Sequence, residues 1–396
     1  MDFVFSPADI LLPECDMKKW AVIACDQYTS EPEYWEKVKE YAGGAPSALN
    51  LILPEVYLKP DNSAAISAIN GKMEQYLESG LFKEYKNALV FVERTQSDGR
   101  VRLGIVGKID LAEYDYNPRT DAAIRATEKT VVSRIPPRVK IREDAPLELP
   151  HIMLLLDDPK RTVTEYAASR KERFAPLYDF ELMLGGGHIK GSLIDGETAE
   201  EIISALKKIQ AENNGFLFSV GDGNHSLATA KECYNKNKNE LSRYALAEVV
   251  NLHDPALDFE PIYRTVSGVD PEKLIADFKA YCEEYGTGEK QDFACYYGNS
   301  KTEISVNGTA KLAVGTLQEF LDGYKEQSAM EVDYIHGEES LIKLSAKENT
   351  VGFIFKGMEK QELFPSVTAD GSLPRKTFSM GHANDKRFYV EARKIK

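Results

Sequence analysis

Residues 216–230 read Phe-Leu-Phe-Ser-Val-Gly-Asp-Gly-Asn-His-Ser-Leu-Ala-Thr-Ala, an apolar run, a glycine-rich turn and a helix-forming run in immediate succession. A strand that passes into a helix across so short a turn must pack that helix back on its own sheet, which constrains the chain to layered α/β architecture. The same rhythm runs through the rest of the sequence. Ser30-Glu31-Pro32-Glu33 reads as a capping box with proline in the first turn, and Tyr34, Trp35, Val38 and Tyr41 then share one helical face before Gly43-Gly44. Ile66, Ile69, Met73, Tyr76 and Leu77 mark a second amphipathic helix. Strand patterns cover 88–93 and 101–106, joined by a turn containing Asp98-Gly99, and another covers 151–156. Helical patterns cover 164–174, 197–213 and 227–234, with a strand near Ile189 and one at 216–220. After Gly268 the rhythm restarts with a helix over 271–285, strands flanking Asn307-Gly308 as a hairpin signal, and a helix over 316–327. The expectation is an α/β fold with a mixed α+β sheet. It divides into a core domain at 1–266 and a smaller C-terminal α/β domain at 267–396.

A chain of 396 residues exceeds one ordinary core, and 43% hydrophobic with 28% charged residues is the balance of a globular protein. No run of eighteen or more apolar residues spans a membrane. Met1-Asp2-Phe3-Val4 lacks the basic start and long apolar run of a signal peptide. The five cysteines form no CxxC pair, which argues against a disulfide framework or a structural zinc site and for a reducing cytoplasm. A net charge of −14 argues against nucleic acid as a partner, because phosphate repels such a surface. The charge is uneven. Residues 119–142 hold seven cations, Arg119, Arg125, Lys129, Arg134, Arg138, Lys140 and Arg142, against Asp121 and Glu128. That segment is either a solvated, salt-bridged face or the wall of a pocket for a small phosphorylated ligand.

The turn at residues 222–226 carries the most chemistry. Gly221 and Gly223 permit positive φ and a close approach of backbone to ligand. Asn224 or Ser226 caps the helix, whose first-turn N–H groups and dipole favour an anion such as phosphate. His225 adds a titratable donor, and Asp222 orients that histidine or binds Mg²⁺ through water. A plain strand-to-helix turn is the competing reading. Neither a P-loop nor a dinucleotide fingerprint is present: Gly185-Gly186-Gly187-His188-Ile189-Lys190 puts lysine where a third glycine belongs.

The box Gly221-Asp222-Gly223-Asn224-His225-Ser226 resembles the Asp-Gly-His-His-Arg box of a bacterial and archaeal family catalogued as domain of unknown function ten-fifteen. Val250-Asn251-Leu252-His253-Asp254-Pro255 resembles the family's strand after the box helix. Ile124-Arg125-Ala126-Thr127-Glu128-Lys129-Thr130 resembles its Arg-His-Glu-x-Thr segment, and Leu373-Pro374-Arg375-Lys376-Thr377-Phe378 its Met-Pro-x-Lys-Ser-Thr segment. The family box is similar to that of the ParB/sulfiredoxin superfamily, and most similar to the free serine kinases. The resemblance implies a ParB/sulfiredoxin-like core with insertions and a bound nucleotide such as ATP or ADP. This sequence keeps His225 but has Asn224 and Ser226 where the box has histidine and arginine. Arg125, Arg134 or Arg138 would then supply the missing charge.

Three readings of function follow. The first is a small-molecule phosphotransfer enzyme acting on serine or phosphoserine. Gly221, Gly223, Asn224 and Ser226 hold phosphate together with Arg125, Arg134, Arg138 and Lys376. His225 and Asp222 serve catalysis, and Glu128 takes the hydroxyl proton. The second is a nucleotide-sensing ParB-like regulator, and the third a non-catalytic binder of a phosphorylated ligand. Glu128 is alternatively a surface ion pair with Arg125 or Lys129, and Lys376 a solvated lysine. Asp26, at the end of an apolar strand, and His188, after three glycines, are candidate substrate contacts. His151 reads as a satisfied structural histidine. Cys25 has no nameable partner as a nucleophile. His253, His336 and His382 show no metal spacing, and no metal ligand set is assigned.

Overall fold

The computed structural model describes residues 3–326 and 328–396. The reading of the chain's first two residues, and the last residue of the helix expected over 316–327, lie outside the described residues. The fold is mixed α/β and divides into two compact units. The first comprises residues 1–126, 130–257 and 382–396, and the second 127–129 and 258–381.

The first unit is built on a ten-stranded sheet. Its strands run in the order Ala175–Glu181, His188–Leu193, Val90–Thr95, Val101–Asp110, Tyr244–Asn251, Met153–Leu156, Phe218–Asp222, Ile124–Ala126 and Tyr114–Asp115, with Phe5–Ser6 on the side of Val101–Asp110. The first five are antiparallel neighbours, whereas Met153–Leu156 is parallel to Tyr244–Asn251 and antiparallel to Phe218–Asp222. Both faces are covered, so the strands alternate between two cores. Val90, Val92, Val106 and Leu246 join Trp20, Trp35, Ile69 and Met73 on one side. Leu89, Phe91, Ile105 and Val249 join Phe218, Ile202, Leu206 and Leu227 on the other.

Within that unit the helix Pro32–Ala42 forms where expected, but Glu31 is its N-cap and no side chain caps it, so the capping box at 30–33 is not made. Tyr41 is exposed, and Ala42 takes its place on the buried face beside Trp35 and Val38. The hairpin Val90–Thr95 to Val101–Asp110 and the helices Ser63–Glu78, Thr164–Arg170 and Gly196–Glu212 agree with the sequence patterns.

The second unit is a six-stranded antiparallel sheet ordered Ser300–Asn307, Lys290–Tyr297, Thr350–Phe355, Phe259–Ser267, Glu331–His336, with Phe378–Met380 beside Phe259–Ser267. Its helices include Pro271–Tyr285 and Ala313–Lys325. Two expectations change here. Asn307-Gly308 ends a strand and leads toward a helix; the hairpin turn is Gly298-Asn299, between Tyr297 and Ser300. The division expected at 266–267 falls at 257–258. The strand Phe259–Ser267 is central to the second sheet, so Gly268 is a strand-to-helix turn rather than a linker.

Residues 382–396 rejoin the first unit because they bring charges that its interior requires. Buried Arg387 pairs with Glu248 and Glu391, and Arg393 Nε sits 2.7 Å from Glu148. Gly104 leaves room for the Glu248 side chain, which any Cβ at that position would strike. Among the described residues no helix is long and apolar enough to cross a membrane.

Candidate functional site

The strand Phe218–Asp222 meets the helix Asn224–Lys236 with Gly223 alone between them. Gly223 has φ of +82°, which favours glycine, and a Cβ there would make a tight 3.1 Å approach to Ile152 Cα. Gly221 is not among the residues with positive φ, unlike the expectation for both glycines. Gly223 is also the N-cap, and the 13-residue helix starts with no side-chain cap. Asn224 and Ser226, expected as caps, are its first and third residues. Asn224 Nδ2 donates back to Val220 O at 3.5 Å, and Ser226 Oγ turns to His151 Nε2 at 3.3 Å. Asp222 Oδ1 accepts the Gly223 N–H at 3.0 Å. An uncapped helix start carries partial positive charge from its first-turn N–H groups.

Polar side chains gather beside this turn. His151 stands just before the strand Met153–Leu156 and is buried. Its Nε2 lies 3.4 Å from Asp26 Oδ2, and its Nδ1 lies 2.9 Å from the Tyr389 hydroxyl, which accepts the Cys25 N–H at 3.1 Å. The short pairing of Phe388–Tyr389 with Val22–Ile23 brings Tyr389 to residues 25–26. Burial opposes a charge on His151, but the Asp26 carboxylate outweighs it and holds the imidazole pKa above its usual value. Burial likewise opposes ionisation of Asp26, and His151 with Lys386 holds its pKa well below the carboxylate range. The two form a histidine–carboxylate pair. They do not form a hydrolase triad with Ser226, because Ser226 and Asp26 meet the same ring nitrogen, whereas a triad needs opposite ones. Burial beside Asp26 pushes the Cys25 thiol up to about 12, which leaves it inert as a nucleophile.

Lys386 completes the cluster, with Nζ 3.6 Å from Asp222 Oδ2. That oxygen is buried and, among the described residues, has no hydrogen-bond partner. A cavity of about 150 Å³ opens against the helix face formed by Ser226 and Thr229. Cys25, His151 and Tyr389 give it polar lining; Leu51, Leu53, Leu58, Met73 and Leu147 give it an apolar one.

The residues singled out from sequence fare differently. Asp222, Asn224, Ser226 and Asp26 stand at or beside the cluster. His225 Nε2 accepts the Val131 N–H at 3.3 Å, so its ring carries the proton on Nδ1. Asp222 has Lys386 as an ionic partner. Arg125 is buried, stacks 4.2 Å over Phe216 and donates to Ala122 O at 2.9 Å. Arg134 is exposed. Arg138 lines the cavity but is ion-paired to Glu55, and Arg142 to Glu148. Three of the seven cations of the basic segment, Arg125, Arg138 and Arg142, are thus engaged in structure, whereas Arg119, Lys129, Arg134 and Lys140 are exposed. His188 pairs with Asp179 at 2.8 Å, and four strands stand between its strand and Phe218–Asp222 in the sheet order. It is a surface ion pair rather than a neighbour of the turn.

Glu128 and Lys376 belong to the second unit. The Glu128 carboxylate accepts the Thr377 N–H at 3.2 Å and also bonds the Lys376 backbone, while burial raises its pKa. The expected surface pair with Arg125 or Lys129 is not among its bonds. Lys376 has φ of +59° and an exposed side chain, and its carbonyl accepts from buried Arg264 at 3.0 Å. Among the described residues no group of three or more His, Cys, Asp or Glu is placed to hold a metal.

Sequence reasoning missed His151, Tyr389 and Lys386. His151 carried one signal, a polar residue at the head of an apolar strand. Lys386 and Tyr389 had none, because the pairing that delivers them joins residues more than 350 apart.

No curated protein matches in sequence. A free serine kinase variant in complex with ADP is similar in structure at a TM-score of 0.41 and 14% identity, over 73% of this chain and 91% of that one. A conserved hypothetical protein from Pyrococcus furiosus gives a TM-score of 0.37 at 15% identity, over 73% of this chain and 94% of that one. C-terminally truncated SbnI from Staphylococcus aureus gives 0.39 at 10% identity, over 72% and 85%. The family model described as protein of unknown function (DUF1015) matches residues 7–324, most of the chain, and the protein belongs to that family.

Proposed function

We propose that the first unit is a small-molecule phosphotransfer site. One observation carries the reading: a long helix begins without a side-chain cap beside Lys386 and a histidine whose pKa Asp26 raises against burial. The first-turn N–H groups and Lys386 hold the phosphate. His151, oriented by Asp26 and Tyr389, handles the proton of a substrate hydroxyl. When the phosphoryl group passes from the substrate to ADP, an oxygen of the ADP β-phosphate bonds to phosphorus as the ester P–O bond breaks, and His151 gives its Nε2 proton to the departing oxygen. In the reverse direction the hydroxyl oxygen attacks the γ-phosphorus of ATP, ADP leaves, and neutral His151 takes the hydroxyl proton. The resemblance of the 221–226 box favours serine or phosphoserine as substrate and ATP or ADP as the nucleotide, with Mg²⁺ as its companion.

The test is a thermal-shift series with phosphate, phosphoserine, ATP and ADP, with and without Mg²⁺, followed by a turnover assay. A ligand at about 100 times its dissociation constant adds roughly 2.7 kcal/mol of stability. Absence of any shift rejects the phosphate site. A non-catalytic binder is the second reading, favoured by Ser226 at the arginine position of the box. A shift without turnover selects it.

A further inference from the structure

We infer that the cavity beside the turn receives the apolar body of the phosphorylated ligand, of the bulk of one six-membered ring; this rests on the phosphate-site reading above and replaces serine as the body that the site takes. The argument starts from the lining. Leu51, Ile52, Leu53, Leu58, Met73 and Leu147 supply hydrocarbon. The charged side chains in the wall already have partners, Arg138 with Glu55 and Arg142 with Glu148. A zwitterionic body such as serine's would lose water there and gain no opposite charge of its own.

The size is equally selective. The cavity measures about 150 Å³, and an apolar cavity of about that volume holds one benzene ring. The placement links the chamber to the anion site. Ser226 is the third residue of the helix, so its N–H belongs to the uncapped first turn, and the residue also lines the cavity. A ligand with its phosphate at the turn thus meets hydrocarbon on the side of Ser226 and Thr229, and the polar groups of Cys25, His151 and Tyr389 at the wall. The ligand class is an aryl, alicyclic or branched-alkyl phosphate ester, or the alcohol that it yields.

Calorimetric titration of the full chain with inorganic phosphate, phosphoserine and phenyl phosphate tests this. Phenyl phosphate is expected to bind at least about tenfold more tightly than inorganic phosphate, the scale on which a filled apolar pocket discriminates, and more tightly than phosphoserine. Leu53→Phe, at a half-buried wall position, narrows the chamber. It should abolish the phenyl advantage while leaving affinity for inorganic phosphate intact. Ile52→Phe serves the same purpose should Leu53→Phe fail to fold. Phosphate binding with no phenyl advantage, or with phosphoserine tightest, overturns the inference and leaves the phosphate site standing. If none of the three binds, the phosphate reading falls and takes this inference with it.

Discussion

Two charged clusters in the first unit lie next to each other along the C-terminal segment, yet they differ in kind. Arg387 joins Glu248 and Glu391, and Glu391 accepts from the Tyr178 hydroxyl at 2.6 Å. The side chains of these ion pairs are at most 3% exposed, and Arg387 is not in the lining of the cavity beside the turn. Lys386, one residue earlier, faces Asp222 at 3.6 Å, and Asp222 Oδ2 lacks a hydrogen-bond partner among the described residues. His151 and Tyr389 in the same cluster line a cavity. Successive residues thus serve a closed network and an open one. Glu248 Oε1 in the closed network is likewise buried without a hydrogen-bond partner among the described residues, so neither burial of charge nor an unsatisfied oxygen marks a site by itself; the cavity beside the open cluster does.

The largest effect should come from the closed network. Arg387→Met removes the partner of two buried carboxylates and should cost about 3–5 kcal/mol in urea unfolding. A loss below about 1 kcal/mol would mean that the network is open after all. In the open cluster, Lys386→Ala should leave the fold close to intact and weaken phosphate binding by about 1.5–3 kcal/mol, the value of a charged hydrogen bond. Titration calorimetry reads this directly, and unchanged affinity would remove Lys386 from the site.

The same contrast predicts a pH dependence. His151 has a folded pKa raised above about 6.5 by Asp26. Its contribution to stability is therefore complete below about pH 6.5 and lost as pH rises through the folded value. The depressed pKa of Asp26 acts at the other end: its contribution is present above the usual carboxylate range and lost as pH falls through its low folded value. Phosphate affinity should decline over the same rise as His151 loses its proton, and His151→Asn should flatten that decline. A profile unaltered by His151→Asn would assign the titration to another group.

How far the sequence revealed these features depended on range. The strand–turn–helix at 218–236 was legible because its signal is local: apolar run, glycine at the required φ, helix formers. The helices Ser63–Glu78, Gly196–Glu212 and Pro271–Tyr285 were legible for the same reason, through one buried face each. The partners of the turn were not. His151 and Asp26 meet across 125 positions of sequence, and Lys386 reaches Asp222 across 164. The basic stretch at 119–142 left two readings open because a run of cations records charge without its counter-ions. Glu55 and Glu148, which pair with Arg138 and Arg142, lie outside that run.

Glu128 offers a milder contrast, in the second unit. Its carboxylate is bonded to backbone N–H groups of residues 376 and 377, and its pKa is raised by burial. Glutamine preserves an acceptor for those N–H groups and removes the burden of a desolvated charge. Glu128→Gln should therefore shift stability by less than about 1 kcal/mol. It should also leave turnover of a phosphorylated substrate unchanged if His151 is the proton carrier. Loss of turnover with binding preserved would return the role of base to Glu128.

The smallest effect is expected at Arg138, which lines the cavity and so looks at first like the cation that Ser226 fails to supply. Its geometry argues otherwise. One guanidinium nitrogen is ion-paired with Glu55, and another donates to the Arg134 carbonyl at 2.7 Å. The pair is partly exposed, at 16% and 18%, and exposed or partly exposed pairs contribute about 0–1 kcal/mol. An incoming phosphate would have to displace Glu55 and recover only the difference between two anions for the same cation. Arg138→Ala should thus weaken phosphate binding by less than about 1 kcal/mol, well short of Lys386→Ala. If Arg138→Ala matches or exceeds Lys386→Ala in the same titration, Arg138 exchanges Glu55 for the ligand on binding. The boundary between closed and open clusters would then have to be redrawn to include the 134–142 segment.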